Sequence, residues 1–274
     1  MMTRRLRMVC LVALAAIVAG TRPITAVTLA PRTIEAYERY VAETHRQSDP
    51  SLTDPNHFLW VDAQGREKDL AALRSGELVI SRLETKIAGK KIDVPDGLIH
   101  HWVGLAFVPA VTVDQAVRLL QAYDTHGEVY KPNVARSKLI DRDGDVFRMY
   151  LRFYTKKVLT VVVNSEHEAR FTRPAPDRAY SRILSTRIAE VDNPDTPEEK
   201  EKPVGRDGGY LWRLNSYWRF LERDGGTYVQ CESITLTRTA PFGLGVIIRP
   251  FITGIPRETL TFTLERTRAV LSRG

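Results

Sequence analysis

The sequence predicts an α+β fold in which one curved antiparallel sheet wraps a long C-terminal helix, with helical segments added at the N-terminal side. Three observations predict it. A strand pattern at Leu98 to Val108 is followed by two short helical patterns, and then by strand patterns alone, separated by the turn signals Asp143-Gly144 and Asp224-Gly225-Gly226. After the last strand, Leu260, Leu264, Thr267 and Leu271 recur at i, i+4, i+7 and i+11, the spacing of one helix face.

Taken in order, residues 1–26 read as a signal peptide: Arg4, Arg5 and Arg7 precede an uncharged apolar run from Met8 to Ala19. That run is shorter than the roughly 20 residues a spanning helix needs. Small residues at Val18-Ala19-Gly20 and Ile24-Thr25-Ala26 put the cut between 20 and 26, and an exported protein, periplasmic or extracellular, is expected. Removing 1–26 takes four arginines and no acid, so the formal charge falls from +7 to +3. Of the two cysteines, Cys10 goes with the leader, and the remaining Cys231 can form no internal disulfide; in a strand pattern it reads as a small buried hydrophobe.

Residues 27–96 form an N-terminal elaboration. Ile34, Tyr37, Tyr40 and Val41 predict a helix from Thr33, as N-cap, to His45; Leu70 and Leu73 predict a second over 68–74; Leu78 to Ile87 reads as a strand leading to Gly89. In the main part, 97–274, Thr112 opens a helix with Val113, Ala116, Val117 and Leu120 on its apolar side, and a short turn of helix over 126–130 ends before Pro132. Strands follow over 135–141, 145–154, 158–171 and 180–191. The polar stretch 193–207 reads as a long mobile loop, and a hairpin over 209–222 and 227–239 comes next. Pro256 is placed in the first turn of the last helix.

This order resembles the helix-grip fold of the START-like (SRPBCC) superfamily over about 97–273. The segments that carry the resemblance are Gly97-Leu98-Ile99-His100-His101-Trp102, Tyr130-Lys131-Pro132 with Ser137-Lys138-Leu139, Gly209 to Arg219, and Ile255-Pro256-Arg257-Glu258-Thr259-Leu260. They look like a secreted branch of that superfamily. The resemblance implies a fold and a style of ligand, an apolar molecule held under the C-terminal helix as a lid, and it implies no particular reaction.

A strongly curved sheet leaves space that one helix does not fill, and ligand sites are concave and mostly apolar. On the strand from Gly209, Tyr210, Trp212, Leu214, Ser216, Trp218 and Phe220 share the more apolar face, which is assigned inward. The expected ligand-binding residues are therefore Trp212, Leu214 and Trp218, with Met149, Leu151 and Phe153 from the strand after Gly144, His101, and Leu260, Leu264 and Thr267 from the lid. The opposite face assignment, and a solid core of the same side chains, are the alternatives. The expected partner is a hydrophobic, lipid-like small molecule bound or carried in the cell envelope by a monomer, with transient membrane contact. The alternative function is an acid–base enzyme of the polyketide cyclase or hydrolase type on the same fold, for which His101, Asn215, Arg152 and Glu232 are the groups to inspect.

Other chemistries find no support. His100 and His101 are neighbours on a strand and point to opposite faces, so they cannot chelate one metal together. Asp141-Arg142-Asp143-Gly144-Asp145 is no calcium loop, because Val146 and Arg152 stand where such a loop needs Gly and Glu. No phosphate loop, nucleophile elbow or zinc-protease motif is present, and basic residues are scattered among acids without the stripe that nucleic acid requires. No cofactor or metal is expected.

Overall fold

The computed structural model describes residues 27–156, 160–239 and 245–273; the leader-like residues 1–26, with Cys10, lie outside them. In chain order the strands are β1 (Val27–Thr28), β2 (Val79–Arg82), β3 (Lys86–Ile87), β4 (Lys90–Lys91), β5 (Gly97–Pro109), β6 (Val134–Asp143), β7 (Val146–Lys156), β8 (Thr160–Ala175), β9 (Arg178–Asp192), β10 (Lys200–Glu201), β11 (Arg206–Asp207), β12 (Arg213–Arg223) and β13 (Gly226–Arg238). The helices are α1 (Pro31–Ser48), α2 (Glu67–Arg74), α3 (Val113–Gln121), α4 (His126–Val129) and α5 (Gly245–Leu271).

A nine-stranded antiparallel sheet runs β2-β5-β13-β12-β9-β8-β7-β6, with β10 added to β9. Helix α5 packs chiefly on β5 and, less extensively, on β13. This is the helix-grip arrangement, a sheet wrapped on its C-terminal helix with helices added at the N-terminal side. Close approach is possible because Gly104 has no side chain: a Cβ there would lie 2.6 Å from both Leu264 Cδ1 and Ile80 Cδ1. Around this crossing Leu260, Leu264 and Leu271 join Met149, Ala169, Ile183, Trp218, Phe220 and Cys231 in one buried cluster, which α3 extends through Val113, Ala116 and Leu120.

The opposite face of the same strands is also buried. Phe58, Leu59, Val61 and Leu73 pack on Val103, Leu105, Phe107 and Tyr228. Beside them Tyr37 and Tyr40 of α1 pack with Trp212, Tyr217, Ile234 and Leu236. Covered on both sides, β5 reads as a near-continuous apolar run rather than a clean alternation.

Several boundaries differ from expectation. Helix α1 starts at Pro31 with Ala30 as N-cap, and Thr33, expected to cap it, is buried inside and donates to the Pro95 carbonyl at 2.8 Å. The strand expected over 78–87 divides into β2 and the first arm of the small β3–β4 hairpin. Helix α3 keeps its expected cap: the Thr112 hydroxyl accepts from Gln115 N. The first hairpin closes on Gly144-Asp145, one residue later than expected, with Gly144 at φ +56° and Asp143 paired to Val146. In the second, Asp224 and Gly225 both adopt positive φ, as a type I′ turn requires. The stretch 193–207 carries β10 and β11. Helix α5 begins at Gly245, so Pro256 lies well inside it and not in its first turn.

Gly104→Ala should destabilise the protein by about 1–3 kcal/mol, the usual cost of overpacking. A urea titration followed by circular dichroism measures this, and an unchanged midpoint would contradict the close crossing.

Candidate functional site

The face that carries α5 gathers most of the expected wall. On β7, Met149 is fully buried in the cluster with Leu260, Leu264 and Trp218, and Leu151 packs against that cluster while remaining half-buried. Phe153 follows on the same face, its ring edge-on to His167 at 6.2 Å. Leu214, three strands away on β12, is half-buried on the same face, in register with Thr235. Thr267 points inward from α5, its hydroxyl 3.1 Å from Tyr130 Oη. Burial pushes the Tyr130 hydroxyl up to about 12 and the Cys231 thiol well above its usual range, so both stay protonated at neutral pH.

Two expected wall residues lie elsewhere. Trp212 packs with Tyr37 and Tyr40 on the opposite face and donates from Nε1 to Asp207 Oδ1 at 2.9 Å. Regular alternation starts only with β12 at Arg213, after a turn in which Gly209 takes φ +70°, so parity counted from Gly209 does not hold for Trp212. His101 is also on the opposite face, because it shares the parity of Val103 and Leu105; its neighbour His100 is the histidine on the helix side, 3.0 Å from Thr237 Oγ1.

His101 instead centres a buried polar chain beneath α1. The Thr85 backbone N–H donates to Tyr40 Oη at 2.8 Å, Tyr40 Oη is 3.0 Å from His101 Nδ1, and His101 Nε2 is 2.7 Å from Glu232 Oε1. This order makes Tyr40 the donor to Nδ1 and Nε2–H the donor to the carboxylate. Burial alone would raise the Glu232 carboxyl; the hydrogen bond from His101, helped by the nearby Arg219 guanidinium, outweighs it and holds the group below the usual range. Arg219 is itself buried, which lowers its pKa, and donates to Ser51 Oγ at 2.6 Å and the Phe58 carbonyl at 2.7 Å. A narrow cleft lined by His45, Asp49, Arg182, Tyr217, Arg219 and Glu232 opens here, with room for little more than water.

Arg152, further along the same opposite face, lies under the 193–205 segment. Its guanidinium holds Glu199 in two hydrogen bonds of 3.0 and 2.8 Å, and this keeps the Glu199 carboxyl down at about 2. Arg187 pairs with Glu201, which accepts from Asn164 Nδ2 at 2.8 Å. A segment expected to move is thus pinned by charge pairs. Of the groups singled out for acid–base chemistry, His101, Glu232 and Asn215 share the α1 side of the sheet, Asn215 Nδ2 donating to Tyr217 Oη at 3.3 Å, and Arg152 stands apart from them.

The helix side holds polar residues that the sequence reading passed over. One of them is His167. It is buried between Met149 and Ser185 in register, with Nε2 2.9 Å from Ser165 Oγ. Tyr123, from the connection after α3, and His126, at the start of α4, lie 4.9 Å apart with tilted rings, and Tyr123 meets Phe147 at 5.7 Å. Burial pushes His100, His126 and His167 each down to about 4, so all three are neutral at physiological pH. Strand parity was the signal that could have found His167, since it alternates with Ala169 and Phe171 on the apolar face. Among the described residues no group of three or more His, Cys, Asp or Glu side chains could hold a metal ion, and no helix is long and apolar enough to cross a membrane.

No family model and no curated protein matches the chain. Among solved structures, it is similar to a STAR-related lipid transfer protein from Xanthomonas axonopodis, at 15% identity and TM-score 0.45, over 69% of this chain and 98% of that one. It is similar to the Zhui aromatase/cyclase from Streptomyces sp. R1128, at 14% identity and TM-score 0.41, over 64% of this chain and 95% of that one. Human STARD10 matches at 9% identity and TM-score 0.43, over 75% of this chain and 79% of that one. These are likenesses of shape, and nothing about ligand or chemistry is taken from them.

Two outcomes follow from the buried charges. Because the Glu232 pKa is lower folded than its unfolded value of about 4.3, its carboxylate contributes stability above that pH and loses it as pH falls through the folded pKa. Glu232→Gln should therefore cost about 1–3 kcal/mol at pH 7. The gap to wild type should close in acid, as read from denaturant midpoints at a series of pH values. Arg152→Met should free the 193–205 segment, so that limited trypsin digestion cuts after Lys200 several times faster than in wild type.

Proposed function

We propose that the helix side of the sheet binds a hydrophobic, lipid-like small molecule, and that the protein acts as its binder or carrier. One observation carries the reading: α5 covers mainly β5, while apolar side chains further round the same face, Leu151, Phe153 and Leu214, remain half-buried, as does Trp102 on β5 itself. Apolar surface left so is stabilised by about 25 cal/mol for each Å² removed from water, and an apolar ligand lying between sheet and helix would remove it. The acid–base alternative draws no comparable support, since the groups the sequence offered for it, His101, Glu232, Asn215 and Arg152, lie on the side away from α5. The arginine-led apolar stretch in residues 1–26 supports action in the cell envelope; the form we propose there is a monomer that meets the membrane only transiently.

The test is native mass spectrometry of the full chain purified without detergent, followed by organic extraction and by incubation with mixed phospholipids, sterols and fatty alcohols. A stoichiometric apolar adduct is expected, and Leu151→Trp, which fills the half-buried wall, should reduce it at least tenfold with the circular dichroism spectrum unchanged. A clean mass with no uptake from the mixture would overturn the proposal.

A further inference from the structure

We infer that the molecule held on the helix side carries an uncharged hydroxyl group, and that this hydroxyl donates its hydrogen bond to Nδ1 of His167. The inference rests on the ligand reading above and deepens it by naming the polar group the ligand must have.

The argument starts from one proton. Ser165 Oγ donates its only hydrogen to the Leu151 carbonyl at 3.0 Å. Its contact with His167 Nε2 at 2.9 Å must then be one in which Nε2–H donates and Ser165 Oγ accepts. A neutral imidazole has one N–H, so Nδ1 is left with its lone pair. That atom is buried and has no hydrogen-bond partner. The ring is 3% exposed, on the face shared by Met149, Ala169 and Phe171, and edge-on to the half-buried Phe153. It keeps no second proton, because burial pushes its pKa down to about 4.

A lone pair fixed in an apolar wall selects chemistry. A carboxylate, ether, ester or ketone oxygen has no hydrogen to give and would set lone pair against lone pair. An ammonium could donate, but it would bring an uncompensated charge among apolar side chains. A hydroxyl supplies the donor without charge. Among the described residues, the other buried polar atoms on this side that lack a partner, Tyr123 Oη, His126 Nε2, Ser181 Oγ and Thr235 Oγ1, are likewise uncharged.

The experiment titrates the full chain at pH 7.5 with three probes of one chain length, 1-dodecanol, dodecyl methyl ether and dodecanoate, following tryptophan fluorescence. The alcohol should bind about tenfold more tightly than either other probe, the worth of one buried hydrogen bond. His167→Phe should bring the alcohol-to-ether ratio close to one with the ether's own affinity kept. Ser165→Ala, which keeps the ring and frees its proton to move to Nδ1, should lower the same ratio and serves if the first variant does not fold. Equal binding of alcohol and ether by wild type would overturn this inference and leave the hydrophobic-ligand reading standing. A tenfold preference that survives Ser165→Ala, or His167→Phe where that variant folds, would overturn the role of Nδ1. Binding of none of the three probes would overturn both readings.

Discussion

The contact of Leu260 and Leu264 with the bare backbone of Gly104 is the constraint around which the rest is arranged. It brings α5 down onto one long strand near the edge of a nine-stranded sheet, and a helix so placed cannot also cover the strands that curve away on the far side. The helix side therefore has two zones. Near Gly104 it is solid core, with Val108 of β5 and Leu264 of α5 fully buried; at Leu151 and Phe153, towards the end of β7, its apolar side chains are only half covered. A larger residue at 104 would lift the helix and change both zones together.

The same strands explain why the N-terminal residues belong to the architecture. A strand buried by α5 on one side would expose Val103, Leu105, Tyr228 and Ile234 on the other, and α1 with the segment from Phe58 to Leu73 closes that face. Closing it also buries His101, Glu232 and Arg219, and each buried polar group then needs a partner. Tyr40 and Thr85 complete the chain to His101 and Glu232, while Ser51 and the Phe58 carbonyl take the Arg219 guanidinium. The polar chain makes α1 specific in its seat, since a slip along the sheet would leave the His101 Nδ1 lone pair and the Thr85 N–H unpaired.

The main elements were legible because their signals are local. Asp224-Gly225 wrote its own turn, Thr112 capped α3, and the Leu260, Leu264, Thr267, Leu271 stripe found the sheet. Met149, Leu151, Phe153, Leu214 and Trp218 lie on the α5 face that strand parity assigns them, since parity works wherever a strand is regular. Parity misled at Trp212, where a turn with positive φ precedes the strand. It misled at His101 too, taken as the inward member of the His100-His101 pair, because a strand buried on both faces has no apolar side to point with. Thr33 and Arg152 were illegible for another reason: their roles depend on Pro95 and Glu199, and partners so far along the chain leave no trace in a window of residues.

What emerges is a sorting of charge. The side under α1 and the 193–205 segment takes ionised groups, because those segments bring tyrosine, serine and glutamate partners to meet them. The side under α5 takes imidazoles that burial keeps neutral. An ion on that second side would lose its hydration among leucines and aromatic rings, and Coulomb attraction to neutral histidines would not restore it. A sheet organised in this way is suited to a guest that is apolar over most of its surface and uncharged throughout. Under the proposed ligand reading, any polar group on such a guest would meet an oriented lone pair or hydroxyl, and its recognition would depend on which ring nitrogen carries a hydrogen.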